Sequence, residues 1–361
     1  MLLVTFHGGP SPGINNIFAY DTSKGSLISA NALSQPSSVH LSELRGMVSF
    51  NGLLYVANGA KATSNVVCYQ PGASAGAYTY VSTVVDATLS KKGHFETAIS
   101  HPFGLAFDGQ GNLYVSNQDT NVVAQASLSS KGHTGSLGKG CQSEYLNGLF
   151  PPPAVFLDGT YVASQIGKLH DVHVEATGVP ANRGGLGVSF DKSKKVQNSV
   201  RDVAVANGIL FVCDEPDSVV NLYSLQDGTF LGSSNALAGK PTHLTIVGAG
   251  IFVSAGSLLY WGAMPTAVHG AAFSLQQVAL TPPAGNKIGG VSFDNSASGL
   301  TAYVPFQTGT GDSGDLGGSI WTYLVTQSSP CSLPVFAKGA QFVASGKDTF
   351  NDTPEFVLFV S

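Results

Sequence analysis

The chain has 361 residues, a net charge of −5, only 11% charged residues and 44 glycines. No basic cluster is large enough to expect nucleic acid as a partner; the nearest, Lys192-Ser193-Lys194-Lys195, reads as a solvated loop. No apolar run approaches 18 residues, so no membrane span is expected.

The elements are nearly all strands, written as variations on one phrase. Leu2-LVTF opens the chain as a second strand with no inner strand before it, and Asn16 starts the next strand, NIFAYD. Arg45-GMVSFNGLLYVANGAKATSNVVCYQ gives inner, second and third strands of a complete copy, and Pro102-FGLAFDGQGNLYVSNQDTNVVAQAS repeats them. Arg201-DVAVANGILFVCDEPDSVVNLYS, Thr242-HLTIVGAGIFVSAGSLLYWG and the region from Gly289 follow. Third strands start at Asn16, Asn65, Asn121, Ser218, Ser257 and Ser319, and the gap from Asn121 to Ser218 is about twice the others. A degenerate copy, PPPAVFLDGTYVASQIGKLHDVHV from Pro151, is expected to fill it.

A supersecondary unit repeated at this period buries its apolar face only against its neighbours. Four short strands per copy arranged radially make a β-propeller. The expectation is an all-β, single domain over residues 1–361 with seven blades, six being the alternative. Thr353-PEFVLFVS supplies the inner strand missing from the start, so one blade is closed by both chain ends, which removes free sheet edges.

Of the four cysteines, Cys68 and Cys213 fall inside strands and read as small buried hydrophobes. Cys141 and Cys331 lie in loop sequence and could form a disulfide, which the sequence does not pair. Sparse charge and Ser/Thr/Gly richness suggest an extracellular protein whose leader has been removed, with a cytoplasmic location otherwise.

In a propeller, loops entering inner strands and leaving second strands meet around one mouth of the central channel, and function sits on such loops. The inner-strand entries offer Arg45, His101, Arg201, Asp202, His243 and Glu355; the second-strand exits offer His7, Asn58, Asn117, Gln165 and Asp214. Gly46, Gly104 and Gly290 mark where inner strands crowd at the axis, and Asp202 and His243 occupy the same slot in their copies. We expect His101 or His243 as a base, Arg45 and Arg201 as charge stabilisers, and Asp202 paired with Arg201. His7, Asn58, Asn117, Gln165, Asp214 and Glu355 are candidate ligand-binding residues. His7, His101 and His243 are also candidate ligands for one divalent metal, Zn or Ca. The glycine-rich stretch after Gln307, with Asp312 and Asp315, lacks the spacing of an EF-hand or a P-loop. No G-x-S-x-G elbow is present.

The segment from His101 to Val123, HPFGLAFDGQGNLYVSNQDTNVV, resembles the NHL and YVTN repeat propellers, a grouping with gluconolactonase-like and strictosidine-synthase-like members. The resemblance implies the fold, and a function among lactonases, lyases, other hydrolases and binding scaffolds. Gluconolactonase-like members hold a divalent metal through an N-terminal Glu with Asn and Asp; here His7-GGPSPG has no Glu, while Asn117 and Asp214 match the other positions only loosely. Peptidyl-amidoglycolate-lyase-like members use zinc, three histidines, Tyr and Arg, which invites comparison with His7, His101, His243 and Arg201. The expected function is an enzyme of the channel mouth, a lyase or a hydrolase of lactonase type, acting on a polar small molecule or saccharide. The alternative is a non-catalytic scaffold binding a protein or glycan on one disc face.

Overall fold

The computed structural model describes residues 1–7, 14–60, 63–86, 99, 101–118, 122–128, 135–137, 200–225, 230–265, 273–280, 286–296, 299–308, 317–344 and 352–361. These residues form six sheets of four to six strands and no helix. None of them therefore forms a helix long and apolar enough to cross a membrane.

Blade 1 joins the chain ends. Pro354–Phe359 is its inner strand and pairs antiparallel with Leu2–Phe6, placing Leu2 opposite Phe359 and Val4 opposite Val357; Phe18–Asp21 and Ser26–Ser29 complete it. Blade 2 runs from Leu44–Phe50 through Leu53–Asn58 and Asn65–Pro71 to Tyr78–Asp86. Blade 3 comprises Pro102–Phe107, Asn112–Asn117, Val122–Leu128 and Gly135–Leu137. Val200–Ala206, Ile209–Asp214, Val219–Ser224 and Phe230–Ser233 form blade 4. Pro241–Val247, Gly250–Ala255, Leu258–Ala263 and Gln276–Gln277 form blade 5. In blade 6 two short inner strands, Lys287–Ile288 and Ser292–Ser296, share the long Gly299–Gln307, followed by Gly318–Thr326.

The ring has six blades, the alternative count, rather than seven. The inner strands of blades 3 and 4 lie directly side by side, so close that a Cβ on Gly104 would stand 2.1 Å from Asp202 Oδ1 and 2.8 Å from Asp202 Cα. No blade fits between them. The degenerate copy from Pro151 lies outside the described residues, as do Gln165, Cys141, Asp312 and Asp315.

The second strands are consecutively apolar because each is covered on both faces by neighbouring blades; Ile209–Asp214 and Gly250–Ala255 are buried at every position. Apolar clusters fill the wedges between blades, for example Leu3, Leu54 and Val56 between blades 1 and 2, and Phe211, Leu244 and Val253 between blades 4 and 5. The hairpins Asn51-Gly52 and Asn207-Gly208 both have positive φ at two successive residues (50° and 76°, 52° and 74°), the backbone that lets a two-residue turn follow strand twist.

Pairing of the inner strand slips at its entry in five blades. The irregularities fall between Val4 and Phe6, Leu44 and Met47, Pro102 and Leu105, Val200 and Val203, and Pro241 and His243. A bulge adds an unpaired residue and re-aims side chains. The residues skipped at these entries include Arg45, Phe103, Arg201, Asp202, Thr242 and Glu355.

Candidate active site

At the entry end of the channel a cavity of about 290 Å³ opens between blades 1, 4, 5 and 6. Its chemistry comes from His7, Arg201, Glu215, His243 and Glu355, with Lys240 and Lys287 at the rim. Its floor is a ring cluster: His243 lies 5.4 Å from Phe103 and 4.5 Å from Phe356 between centroids, and the two phenyl rings are 5.1 Å apart. Beyond that floor, a second cavity of about 240 Å³ is walled by the inner strands of all six blades, and Asp202 is its one ionisable lining residue among those described.

Glu355 is buried, 4% exposed, and forms a short ion pair with Arg45 Nη1. Burial by itself would raise this carboxyl; the guanidinium overrides it and holds the pKa at about 2. Arg45 Nη1 also donates to the His7 carbonyl at 2.8 Å, and Nη2 lies 3.5 Å from Glu43. Arg45, expected as a charge stabiliser, is outside the cavity lining and pairs with Glu355, which is in it.

His243 is 4% exposed. Its Nδ1 is 2.9 Å from Thr242 Oγ1, and that hydroxyl donates its own proton to the Ser254 carbonyl at 3.4 Å. With the Thr242 proton directed to Ser254, the tautomer is the one in which Nδ1–H donates to Thr242 and Nε2 carries the lone pair. Nε2 is buried and has no hydrogen-bond partner among the described residues. Desolvation, followed by nearby Arg201 and Arg45, lowers the pKa to about 3 against the pull of Glu355. The imidazole is therefore a neutral acceptor at physiological pH. A pH response through the ordinary histidine range, as its sequence position suggests, is displaced to acid by burial.

Arg201 and Asp202 do not pair. The bulge sends them apart: Arg201 Nε donates to Glu215 Oε2 at 2.8 Å, and its guanidinium carbon stands 5.2 Å from the Phe103 ring centre. Asp202 lines the inner cavity instead; its Oδ1 accepts from its neighbour Val203 N and its Oδ2 from Leu244 N of blade 5, each at 2.9 Å. Burial raises its pKa to about 7 against those two hydrogen bonds. Asp202 thus ties blade 4 to blade 5 and lies outside the mouth cavity that holds Arg201.

Other expected site residues also have structural roles. His101 adopts φ 54° at a blade entry, its Nε2 3.7 Å from Glu43, and it is not among the cavity-lining residues. Asn58 is fully buried and organises the loops around it, accepting from Ser42 N and donating to the His40 carbonyl. Asn117, also fully buried, donates to the Val115 carbonyl. Asp214 accepts from Asp217 N and Asn221 Nδ2 inside its own hairpin. No group of three or more His, Cys, Asp or Glu is arranged for a metal among the described residues, so His7, His101 and His243 are not brought together as ligands. His7, Arg201, His243 and Glu355 do line one cavity. Lys240 and Lys287 were not singled out from the sequence; Lys240 immediately precedes the inner strand Pro241–Val247 and Lys287 opens Lys287–Ile288, close to the entry position that Arg201 holds in Val200–Ala206.

No family model matches the chain, and no curated protein matches it in sequence. Solved structures do match in shape. A Lactobacillus plantarum protein superposes with TM-score 0.54 at 14% identity, over 94% of this chain and 81% of that one. Two proteins provisionally named 6-phosphogluconolactonases superpose with TM-score 0.51 at 12% identity: one from Bacteroides uniformis over 94% of this chain and 81% of its own, one from Bacteroides fragilis over 100% and 97%. At such identities the likeness supports the propeller fold; membership of the NHL family is not supported.

Proposed function

We propose that the channel-mouth cavity binds a small polar lactone and opens it by hydrolysis. The observation that carries this reading is that one cavity is lined both by His243, whose buried Nε2 has no partner among the described residues, and by a guanidinium held by Glu215. Water attacks the lactone carbonyl carbon as His243 Nε2 takes its proton, and Arg201 stabilises the oxyanion that develops. The ring C–O bond then breaks, the proton passes from Nε2 to the departing ring oxygen, and the hydroxy acid formed loses its carboxyl proton to solvent. Glu355 stays ionised throughout and favours the transient imidazolium. The names of the two Bacteroides neighbours agree with this class of substrate.

The test is alkali uptake at constant pH with D-glucono-δ-lactone and its 6-phosphate. The parent should exceed spontaneous ring opening, and His243→Ala and Arg201→Ala should abolish the excess while remaining folded. Because His243 titrates at about 3, the rate should be level from pH 5 to 8 apart from the spontaneous background. A folded parent giving no excess rate with either lactone overturns the reading.

A second reading, binding without turnover, is favoured by the Phe103–His243–Phe356 floor that closes the channel and by the low basicity of His243. It predicts ligand-induced stabilisation with no alkali uptake.

A further inference from the structure

Arg201 is held from two sides, by Glu215 at Nε and by the Phe103 ring beneath, yet Nη1 and Nη2 make no hydrogen bond to any described residue. A guanidinium immobilised by its Nε edge and its face presents the remaining pair of nitrogens as a ready fork for a planar carboxylate. His243, against the same Phe103 ring, has its Nε2 buried without a partner among the described residues, and in the tautomer with Nδ1–H that nitrogen would gain from a hydroxyl donor. Lys287 adds an exposed positive charge at the rim. The cavity therefore carries one site for a carboxylate and one for a hydroxyl. Opening a lactone converts a neutral ring into a molecule with one new carboxylate and one new hydroxyl.

We infer that the cavity recognises the open-chain hydroxy acid, an aldonate, more tightly than the lactone, so that the product is retained and inhibits. This rests on the lactone reading for its enzymatic consequence, but the binding itself does not. The carboxylate occupies the Arg201 fork and a hydroxyl donates to His243 Nε2. Since Nε2 stays unprotonated down to about pH 3, affinity for an ionised aldonate should not vary between pH 5 and 8.

Titration calorimetry with gluconate, glucitol and hexanoate tests it on the full chain. Glucitol has the hydroxyls without the carboxylate, and hexanoate the carboxylate without the hydroxyls. Gluconate should bind at least tenfold tighter than either and should inhibit lactone opening competitively, with an inhibition constant below the lactone KM. Arg201→Lys keeps the charge and loses the fork, and should weaken gluconate on the order of 10–100-fold. His243→Phe, which keeps the ring packing, should weaken it roughly 3–10-fold. Equal affinity for all three probes in the parent overturns the inference whatever the variants do, as does undiminished gluconate binding by Arg201→Lys. Lactone turnover with no gluconate binding overturns the inference and leaves the lactone reading standing; selective gluconate binding with no turnover supports the inference and removes that reading.

Discussion

Replacing Arg45 by methionine isolates the electrostatics that underlie the site. Glu355 has a pKa of about 2 in the fold against an ordinary value of 4.5. At about 1.4 kcal/mol per unit, that depression corresponds to about 3 kcal/mol of stability at neutral pH. Its sign follows from the direction of the shift: the contribution is complete above pH 4.5 and is lost as pH falls toward 2. Arg45→Met removes the guanidinium and leaves a buried carboxylate without its partner, a change that costs roughly 3–5 kcal/mol. Burial then raises the Glu355 pKa above 4.5, so the variant gains stability on acidification where the parent does not. Urea unfolding of both proteins at several pH values measures the gap, which should be widest near pH 7.5 and narrow toward pH 4. Arg45→Met/Glu355→Gln, with no charge left to bury, should recover more than half of the loss. A deficit below about 1 kcal/mol, a gap constant with pH, or a double variant no better than the single one would refute the reasoning, since each contradicts the cost expected of an unpaired buried charge.

Asp202 and His243 impose opposite slopes on stability. Asp202, raised from 3.8 to about 7, makes the fold lose stability as pH rises through that interval, and Asp202→Asn should remove that loss in differential melting curves. His243, lowered from 6.5 to about 3, makes the fold lose stability as pH falls through that interval, and His243→Phe should remove this second slope. Gly104→Ala places a methyl within 2.1 Å of Asp202 Oδ1 and should lower the melting temperature markedly; Asp202→Ala in the same chain should rescue only part, because Asp202 Cα is itself 2.8 Å away. Deleting residues from Thr353 onward removes the inner strand of blade 1 and should abolish cooperative melting; a truncated chain that melts like the parent would show that closure by the two ends is not needed.

The architecture was legible because its signal is repeated. Leu53–Asn58, Asn112–Asn117 and Ile209–Asp214 carry the same apolar run, and the unpaired strand at each chain end pointed to closure. The crowding at Gly46, Gly104 and Gly290 was legible for the same reason, and each indeed faces a neighbouring inner strand or ring too closely for a side chain to fit comfortably. The blade count was not, because spacing along the chain does not reveal which inner strands touch, and the contact of Gly104 with Asp202 closes the ring at six. Site residues were legible only as a ring of entry positions. Whether an entry residue meets the mouth cavity depends on the geometry at the register shift, where Arg201 joins the mouth cavity and Asp202 the inner one, and periodicity carries no trace of it. Asn58, Asn117 and Asp214 resemble ligands in composition, yet their side chains are used by the surrounding backbone and hairpins.

The most direct test is a crystal structure of the protein grown with gluconate. It should show a carboxylate bridging Arg201 Nη1 and Nη2 and a hydroxyl donating to His243 Nε2, over an unchanged Phe103–His243–Phe356 floor. Gluconate bound outside this cavity, or a cavity left without it at concentrations where calorimetry shows binding, would contradict the assignment of this cavity as the functional site.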